Sequence, residues 1–234
     1  MTAISACRPV ADHGVLVVFD DRIGDATLAA VHALDAALHA RPPDGLVETV
    51  PALTTLLVGF DPLLTDHAAV AAAVAALGAT AESATVATGT VHVVDVCYDP
   101  EEAADLAAVV ERTGLDPDEV VAAHTAGRYT VGMYGFAPGY AYLYGTPPSI
   151  QLPRNPTPGA VVPAGSVIIT GEQCLISPVA MSTGWFAIGR TAAQMLTGDE
   201  TRPFLFDVGD TVTFRRVSAA EFHRQLAAVE AGRR

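Results

Sequence analysis

The sequence contains no lysine, and all 13 of its basic residues are arginines. A lysine amine is required by the GK[ST] turn of a P-loop, by Schiff-base enzymes, by the attachment site of biotin and by amidases with a Ser-Ser-Lys arrangement. The chain by itself therefore has none of these four chemistries, and we expect no biotin to be attached to it.

Cysteines and positive charges are also scarce. The three cysteines, Cys7, Cys97 and Cys174, lie far apart and form no CxxC pair, so the sequence predicts neither a disulfide framework nor a zinc knuckle. The formal net charge of −13 predicts repulsion from phosphate backbones and anionic lipids, and we expect neither nucleic acid nor a membrane as a partner. Without a signal-peptide pattern or a bilayer-length apolar run, we expect a cytoplasmic protein.

Residues 1–88 have the pattern of a small α+β domain. Three of its expected strands are the runs VLVVF, LVETV and TTLLVGF, helical spacing covers residues 24–40 and 65–77, and Gly78 is expected to end the second helix. The order β-β-α-β-β-α predicts a sandwich with helices on one face of an antiparallel sheet. The small and polar segment 79–89 predicts the domain junction.

Residues 89–234 have the pattern of a β-barrel or sandwich that ends in a helix. The strand VHVVDVCY comes first, followed by a helix over Glu101–Glu111 and by a second one in which Asp116 and Glu119 form a capping box. A further capping box at Ser218 begins the last helix. Between the helices, β-prone runs divided by glycine and proline predict many short strands; these runs are RYTVGMY, SVIIT, CLIS, WFAIGRT, PFLFD and DTVTFRRV.

The segment GFAPGYAYL, residues 135–143, concentrates aromatic rings and glycines in a chain that is only 6% aromatic. Glycine permits backbone conformations and close approaches that other residues do not. Phe136, Tyr140 and Tyr142 could then line a cleft with their hydroxyl groups available as donors. The alternative is an aromatic corner that only packs in the core, and the residues alone leave both interpretations open.

A tract of 21 residues, TPPSIQLPRNPTPGAVVPAGS, follows this segment and contains six of the 16 prolines but a single charge, Arg154. Prolines stiffen a chain and remove backbone donors, so the tract predicts a rigid wall rather than a regular element. Arg154 could hold a carboxylate or phosphate with two hydrogen bonds, or pair with an internal acid.

Three further residues invite a functional interpretation. Arg190 follows a predicted buried strand and could bind a ligand or form a structural ion pair. Ser166 lacks the GxSxG context of a nucleophile and is expected to cap a turn. His124, near the end of a helix and just before the aromatic segment, could cap that helix or take part in a site.

Several motifs together carry a family resemblance that covers nearly the whole chain. In order they are ETVPALTTLLVGFDP, HTAGRYTVGMYGFAPGYAYLYG, LPRNPTPGAVVPAGSVIITGEQC and GWFAIGRT. They resemble the KipI / 5-oxoprolinase B-subunit family, also called allophanate hydrolase subunit 1 or carboxyltransferase subdomains C and D. The resemblance implies an α+β fold in which a small N-terminal sandwich, residues 1–88, precedes a cyclophilin-like β-barrel, residues 89–234.

The resemblance also implies a set of substrate-binding or interface residues. They are Gly135, Phe136, Pro138, Gly139, Tyr140, Tyr142, Arg154, Ser166, Gln173, Trp185, Arg190 and His124. The chain departs from the family pattern at Pro158-Gly159, at Gln173–Pro178 and at Met181–Trp185, and these departures leave the substrate open.

The resemblance further implies a partner. Family members act with a C-type carboxyltransferase chain, which is called allophanate hydrolase subunit 2. In 5-oxoprolinase a sugar-hydrolase-like A-type chain joins them, and this complex opens the cyclic amide 5-oxoproline with ATP hydrolysis. We expect this chain to form half of a small-amide site, to use ATP only through the complex and to bind no metal. The alternatives are a KipI-like inhibitor of a histidine kinase and, from the barrel type, a prolyl isomerase.

Overall fold

The structure is a computed structural model that describes residues 4–81, 89–156 and 159–232. The chain divides into two compact units, residues 1–88 and 89–234. Most of the predicted junction, residues 82–88, and Pro158 of the proline tract lie outside the described ranges. Within those ranges no helix is both long and apolar enough to cross a membrane.

The first unit is an antiparallel sheet with two helices. Its elements are β1 (Ala6–Val10), β2 (Gly14–Val18), α1 (Asp25–Ala40), β3 (Leu46–Pro51), β4 (Thr55–Phe60) and α2 (His67–Ala81). The strand order is β1-β2-β4-β3 with every pair antiparallel. Buried apolar residues of both helices, such as Leu34 and Val74, share one core with Val17 and Val58 of the sheet. This order confirms the predicted α+β sandwich.

The prediction that Gly78 ends the second helix is wrong, because α2 continues to Ala81. A Cβ atom on Gly78 would lie 2.7 Å from Cδ1 of Ile4. The glycine therefore makes room for a neighbouring side chain inside the helix, a role that sequence position does not distinguish from a C-terminal cap.

The second unit is a closed seven-stranded barrel with three helices. Its elements are β5 (Val91–Cys97), α3 (Leu106–Thr113), α4 (Pro117–Ala126), β6 (Tyr129–Tyr134), β7 (Ala141–Tyr144), a 3₁₀ turn (Pro148–Ile150), β8 (Val161–Val162), β9 (Ser166–Thr170), β10 (Gln173–Ile176), β11 (Met181–Ser182), β12 (Phe186–Arg190), β13 (Thr211–Val217) and α5 (Ala219–Gly232). The barrel closes in the order β10-β7-β6-β13-β5-β12-β9, while β8 and β11 form a separate ribbon. The predicted barrel is confirmed.

Two of the predicted helix starts in this unit are confirmed and one is wrong. Asp116 and Glu119 form the reciprocal capping box of α4, and the Ser218 hydroxyl accepts a hydrogen bond from the N–H of Glu221 at the start of α5. The helix predicted from Glu101 begins only at Leu106. The N–H of Asp105 donates to the carbonyl of Ala187 in β12, and the Asp105 carboxylate accepts from the N–H of Ala187, each at 2.8 Å. These two hydrogen bonds take the place of the first helical turn.

Two expectations for less regular segments also need correction. PFLFD is not a strand: Leu196 and Phe204 form an isolated bridge, and Phe206 enters the core from a loop. The proline tract is not wholly irregular, since it contains a 3₁₀ turn and the strand β8. Both segments contain proline, which removes backbone donors from a ladder and so disfavours long strands.

The strands β9, β10 and β12 are buried on both faces. Side chains such as Val167, Cys174 and Ile188 point into the barrel and join one core with α3 and α4. The intervening side chains, Ile168, Leu175 and Ala187, belong to a second cluster on the outside. Because successive residues of a strand alternate between faces, the outer wall of these strands needs a cover of its own.

Candidate functional site

The aromatic segment GFAPGYAYL forms the tight connection between β6 and β7. Ala137 to Tyr140 make a turn closed by the N–H of Tyr140 on the carbonyl of Ala137, at 3.0 Å, with proline second and Gly139 third at φ 76°. This is the residue pattern of a type II turn, in which the third position favours glycine. A Cβ atom on Gly139 would also lie 2.9 Å from Cδ2 of Leu196.

Phe136, just before this turn, is the unusual residue of the segment. Its φ is 70°, a left-handed conformation that costs a residue with a side chain about 1–2 kcal/mol. Its ring is nevertheless 79% exposed, so burial offsets little of this cost. A strained backbone that presents an exposed aromatic ring is a feature common at functional sites.

A series of four aromatic rings runs from this loop across the outside of the barrel. The ring centroids of Phe136 and Tyr140 lie 5.2 Å apart, those of Tyr140 and Tyr142 5.3 Å, and those of Tyr142 and Trp185 5.9 Å. Tyr140 is buried, whereas Tyr142 and Trp185 are half-buried. We call these four residues, with the cluster beneath them, the aromatic face.

Arg154 lies beside the aromatic face. The N–H of Asn155 donates to the carbonyl of Gly184 at 2.8 Å, and a Cβ atom on Gly184 would lie 2.9 Å from Nε of Arg154. The absence of a side chain at position 184 thus makes room for the Arg154 side chain, whose positive charge acts on both Tyr140 and Tyr142. Arg154 is exposed and has no ion-pair partner within the described ranges, so its charge is available to an anion.

The tyrosine hydroxyls of the aromatic face stay protonated over the physiological pH range. Burial raises the pKa of Tyr140 to about 12, with a smaller contribution from Tyr142, and the positive charge of Arg154 opposes this rise. Burial also raises the pKa of Tyr142. Both phenols are therefore neutral groups that can donate a hydrogen bond.

Three other predicted residues are engaged in local structure. The Ser166 hydroxyl donates to the carbonyl of Pro163 at 2.8 Å, and Gln173 lies in β10 between Tyr144 and Thr170. Arg190 donates from Nη1 to Glu102 at 3.1 Å and from Nε to Ala164 at 3.1 Å, and its guanidinium lies over the Phe222 ring.

His124 lies inside the barrel rather than at the aromatic face. It is fully buried, stacks on Phe214, and its Nδ1 is 2.7 Å from the Tyr98 hydroxyl. Its Nε2 is 3.6 Å from Sγ of Cys174, which is a weak contact. Burial lowers the pKa of His124 to about 3 and raises that of the Cys174 thiol, so both groups are held neutral.

Some residues of the aromatic face were not singled out in the sequence. Ala137 and Met181 pack against it, and Ile168, Leu175 and Ala187 form its floor. The sequence did carry a signal, because the apolar residues of SVIIT and CLIS stand at consecutive positions and so indicate strands that are buried on both faces.

Comparison with known proteins identifies the family. The carboxyltransferase domain family, subdomains C and D, matches residues 5–206. The chain belongs to this family. The resemblance seen in the motifs is confirmed, and the aromatic segment and Arg154 both fall inside the part of the chain that matches.

The similar proteins include enzyme subunits and larger chains. The B subunit of 5-oxoprolinase from Bacillus subtilis is 33% identical over 237 residues, which cover 95% of this chain and 97% of that protein. The crystal structure of TTHA0988 is 30% identical with a TM-score of 0.75 and matches 89% of this chain, which spans only 40% of that longer chain. The urea amidolyase of K. lactis shares the fold, with 16% identity and a TM-score of 0.75. The match covers 97% of this chain and 16% of the urea amidolyase chain.

Proposed function

We propose that the chain is one component of an ATP-dependent complex that hydrolyses a small amide of the 5-oxoproline type, and that its aromatic face supplies part of the substrate site. The observation that carries the proposal is the exposed guanidinium of Arg154 beside the aromatic face, which has no ion pair in the described part of the chain. The name of the relative that matches along its full length, the B subunit of 5-oxoprolinase, supports this substrate class.

The geometry suits the chemistry of such a substrate. 5-Oxoproline has a carboxylate, a small apolar ring and an amide carbonyl. Arg154 would bind the carboxylate with two hydrogen bonds, and the rings of Tyr142 and Trp185 would pack against the substrate ring. A neutral tyrosine hydroxyl would donate to the carbonyl and make it more electrophilic. Hydrolysis then breaks the amide C–N bond by addition of water.

The proposal requires a partner. The aromatic face is open at the exposed ring of Phe136, and open sites enclose a small substrate poorly. A C-type carboxyltransferase chain would close the site, a sugar-hydrolase-like chain would join the assembly, and ATP would be used through the complex, because this chain has no P-loop lysine. In this proposal the isolated chain is inactive.

Reconstitution tests the proposal. The chain is purified alone and together with a C-type chain and a sugar-hydrolase-like chain, and 5-oxoproline-dependent ATP hydrolysis and glutamate formation are measured. We expect activity only from the mixture. Full activity from the isolated chain would contradict a shared site, and an inactive mixture in which this chain instead inhibits a histidine kinase would favour the regulatory alternative.

Arg154 provides the sharper test within the active mixture. Arg154→Gln should lower kcat/KM for 5-oxoproline at least about tenfold, mainly through KM, because a charge-assisted pair with the carboxylate is lost. Arg154→Lys should recover part of the lost kcat/KM. Arg202→Gln is the matched control, since Arg202 is another exposed arginine, whose one ion pair within the described ranges is with Asp207 at 3.5 Å. Equal losses in Arg154→Gln and Arg202→Gln would remove Arg154 from the site.

A further inference from the structure

The barrel wall has a gap between β5 and β12. These strands pair only at Cys97 and Arg190, and the chain then turns away, with the N–H of Thr191 donating to Gly165 at 2.9 Å. On its other side β5 pairs with β13 without a bulge along its whole length, Val91–Cys97. One edge of β5 is thus fully paired, while the opposite edge is open over most of the strand.

The backbone groups that face the gap can be assigned. The carbonyl of Thr90 accepts from the N–H of Thr211 at 2.9 Å, and the carbonyl of His92 accepts from the Thr213 hydroxyl at 3.2 Å, so even-numbered residues face β13. Because backbone groups alternate along a strand, Val91, Val93 and Asp95 face the gap. Their N–H and C=O groups have no backbone partner in the part of the chain that the structure describes.

A cleft of about 400 Å³ lies beside this open edge. On the outside of the barrel it is lined by Val93 and by Val229 of α5, and on the inside by Leu205 and Phe206. Val91 and Val93 are 55% and 62% exposed. Natural sheets protect a free edge with charged side chains, above all lysine, with proline, with a bulge, or by covering the edge with a helix or loop. β5 has no lysine, proline or bulge, its acidic side chain Asp95 is paired with Arg215, and α5 borders the cleft without pairing with the strand, so the edge has the properties of a pairing site.

The polar side chains of the cleft already have hydrogen-bond partners within the chain. Asp95 accepts from Nε and Nη2 of Arg215, at 2.7 and 3.0 Å, and from Gln225 at 2.8 Å. His92 contacts Asp210 through Nε2 at 2.7 Å. Asp95 and Asp210 therefore already have hydrogen-bond donors within the chain. A charged group that entered the apolar gap would lose its hydration without gaining a partner.

We propose that the free edge of β5 is a docking site for an uncharged, extended segment of another polypeptide. The open N–H and C=O groups recur at every second residue, and an extended backbone is the chemical group that matches this repeat. The segment would lie antiparallel to β5, in the direction that β12 has when it leaves the wall. Its alternate side chains would meet Val93 and Val229 on one side and Leu205 and Phe206 on the other, so aliphatic residues fit both faces.

Amide exchange in the full chain tests this proposal. The probe is the uncharged peptide acetyl-Val-Thr-Val-Ala-Val-amide, and its control is the same peptide N-methylated at every residue, which keeps the side chains and loses the donors. In the free chain we expect the N–H protons of Val93 and Asp95 to exchange at least about 100-fold faster than those of Val94 and Val96. The probe should bind saturably and slow the exchange of the N–H protons of Val93 and Asp95 at least about tenfold. The N-methylated peptide should not slow it.

Two substitutions localise the effect. Val93→Lys places a charge at the edge and should weaken peptide binding at least about tenfold, and Ala193→Arg, which fills the cleft from the opposite side, should do the same if Val93→Lys does not fold. Val10→Lys is the control, because Val10 is an exposed valine, 41% accessible, on the strand β1 of the other unit. It should leave binding unchanged.

Three outcomes would overturn the proposal. The first is no saturable binding of the probe, with Val93 and Asp95 exchanging as in the free chain. The second is equal binding of the N-methylated peptide, which would make the cleft an apolar pocket and not a strand site. The third is protection of Val93 and Asp95 that rises with protein concentration alone, which would make a second copy of this chain the occupant.

Discussion

The inner and outer faces of the same barrel strands differ in how completely their polar groups are satisfied. On the inner face Cys174 belongs to the core around His124, whose ring is stacked and hydrogen-bonded and has no exposure. One residue further along β10, Leu175 supports Tyr140 on the outer face, where Phe136 is exposed and Arg154 has no ion pair in the described ranges. A single step along a strand thus separates a stabilising core from a surface suited to binding.

This contrast has a physical basis. A buried polar group adds to stability only when its hydrogen bonds are made, and the inner face meets this condition with neutral groups. A binding surface needs the opposite, namely charge and aromatic area that the protein itself leaves uncovered. Substitutions on the inner face should therefore change stability, and substitutions on the outer face should change activity.

The largest effect is expected from His124→Ala. The substitution opens a cavity in the core and leaves the Tyr98 hydroxyl without its partner at 2.7 Å, and together these should lower the free energy of unfolding by about 3 kcal/mol or more. Urea denaturation followed by circular dichroism measures the change. A stable His124→Ala chain that is inactive in the complex would contradict this assignment and make His124 a functional residue.

The variant to compare with His124→Ala lies on the outer face. Tyr142→Ala removes a half-buried ring and should lower the free energy of unfolding by about 1 kcal/mol, while it reduces activity of the reconstituted complex strongly. A loss of folding without a specific loss of activity would mean that the aromatic face is only a packed corner.

The next effect is a dependence of stability on pH. Burial lowers the pKa of His124 to about 3, below the value near 6.5 of an unfolded histidine. Between these values the unfolded chain binds the extra proton and the folded chain does not, so stability is complete above about pH 6.5 and falls by up to about 1.4 kcal/mol per pH unit below it. His124→Gln should remove this slope between pH 6.5 and 5, and an unchanged slope would show that another group causes it.

The fold was largely predictable because local signals and topology agreed. Alternating strands and helices gave the first unit its order, the Asp116 capping box formed as expected, and the Ser218 hydroxyl accepts from the N–H of Glu221 as one half of the expected box. The failures came from contacts between segments that are distant in sequence. Gly78 makes room for Ile4, and Asp105 is tied to Ala187 in β12, and neither contact leaves a local trace in the sequence.

The candidate site was predictable only in part. The aromatic segment and Arg154 do meet at one surface. The sequence associates His124 with them only because it lies just before the aromatic segment in the chain. Alternation along β10 sends Cys174 inward, where it contacts His124 of α4, and sends Leu175 outward, and a motif does not reveal which face its residues occupy. Arg190 could be assigned either role from the sequence, and its contact with Glu102 is a tertiary one.

The smallest effect, and the sharpest test of the comparison, is expected from Phe136→Gly. Glycine adopts a φ of 70° without strain, which removes about 1–2 kcal/mol of cost, while its greater freedom in the unfolded chain returns about 0.5–1 kcal/mol. Little buried area is lost from a ring that is 79% exposed, so the free energy of unfolding should rise by about 0.5 kcal/mol. In the reconstituted complex, kcat/KM should fall about fivefold, since the aromatic contact with substrate or partner is lost.

Ala11→Gly is the matched control for this variant, because Ala11 is the other residue with a side chain at positive φ, 49°, within the described ranges. Ala11→Gly should raise the free energy of unfolding by a similar amount and leave the activity of the complex unchanged. Differential scanning calorimetry and steady-state kinetics on both variants measure the two effects. If Phe136→Gly lowers stability, the ring is structural; if it keeps full activity, the strain at position 136 has no function in this site and the outer face is no different from the inner one.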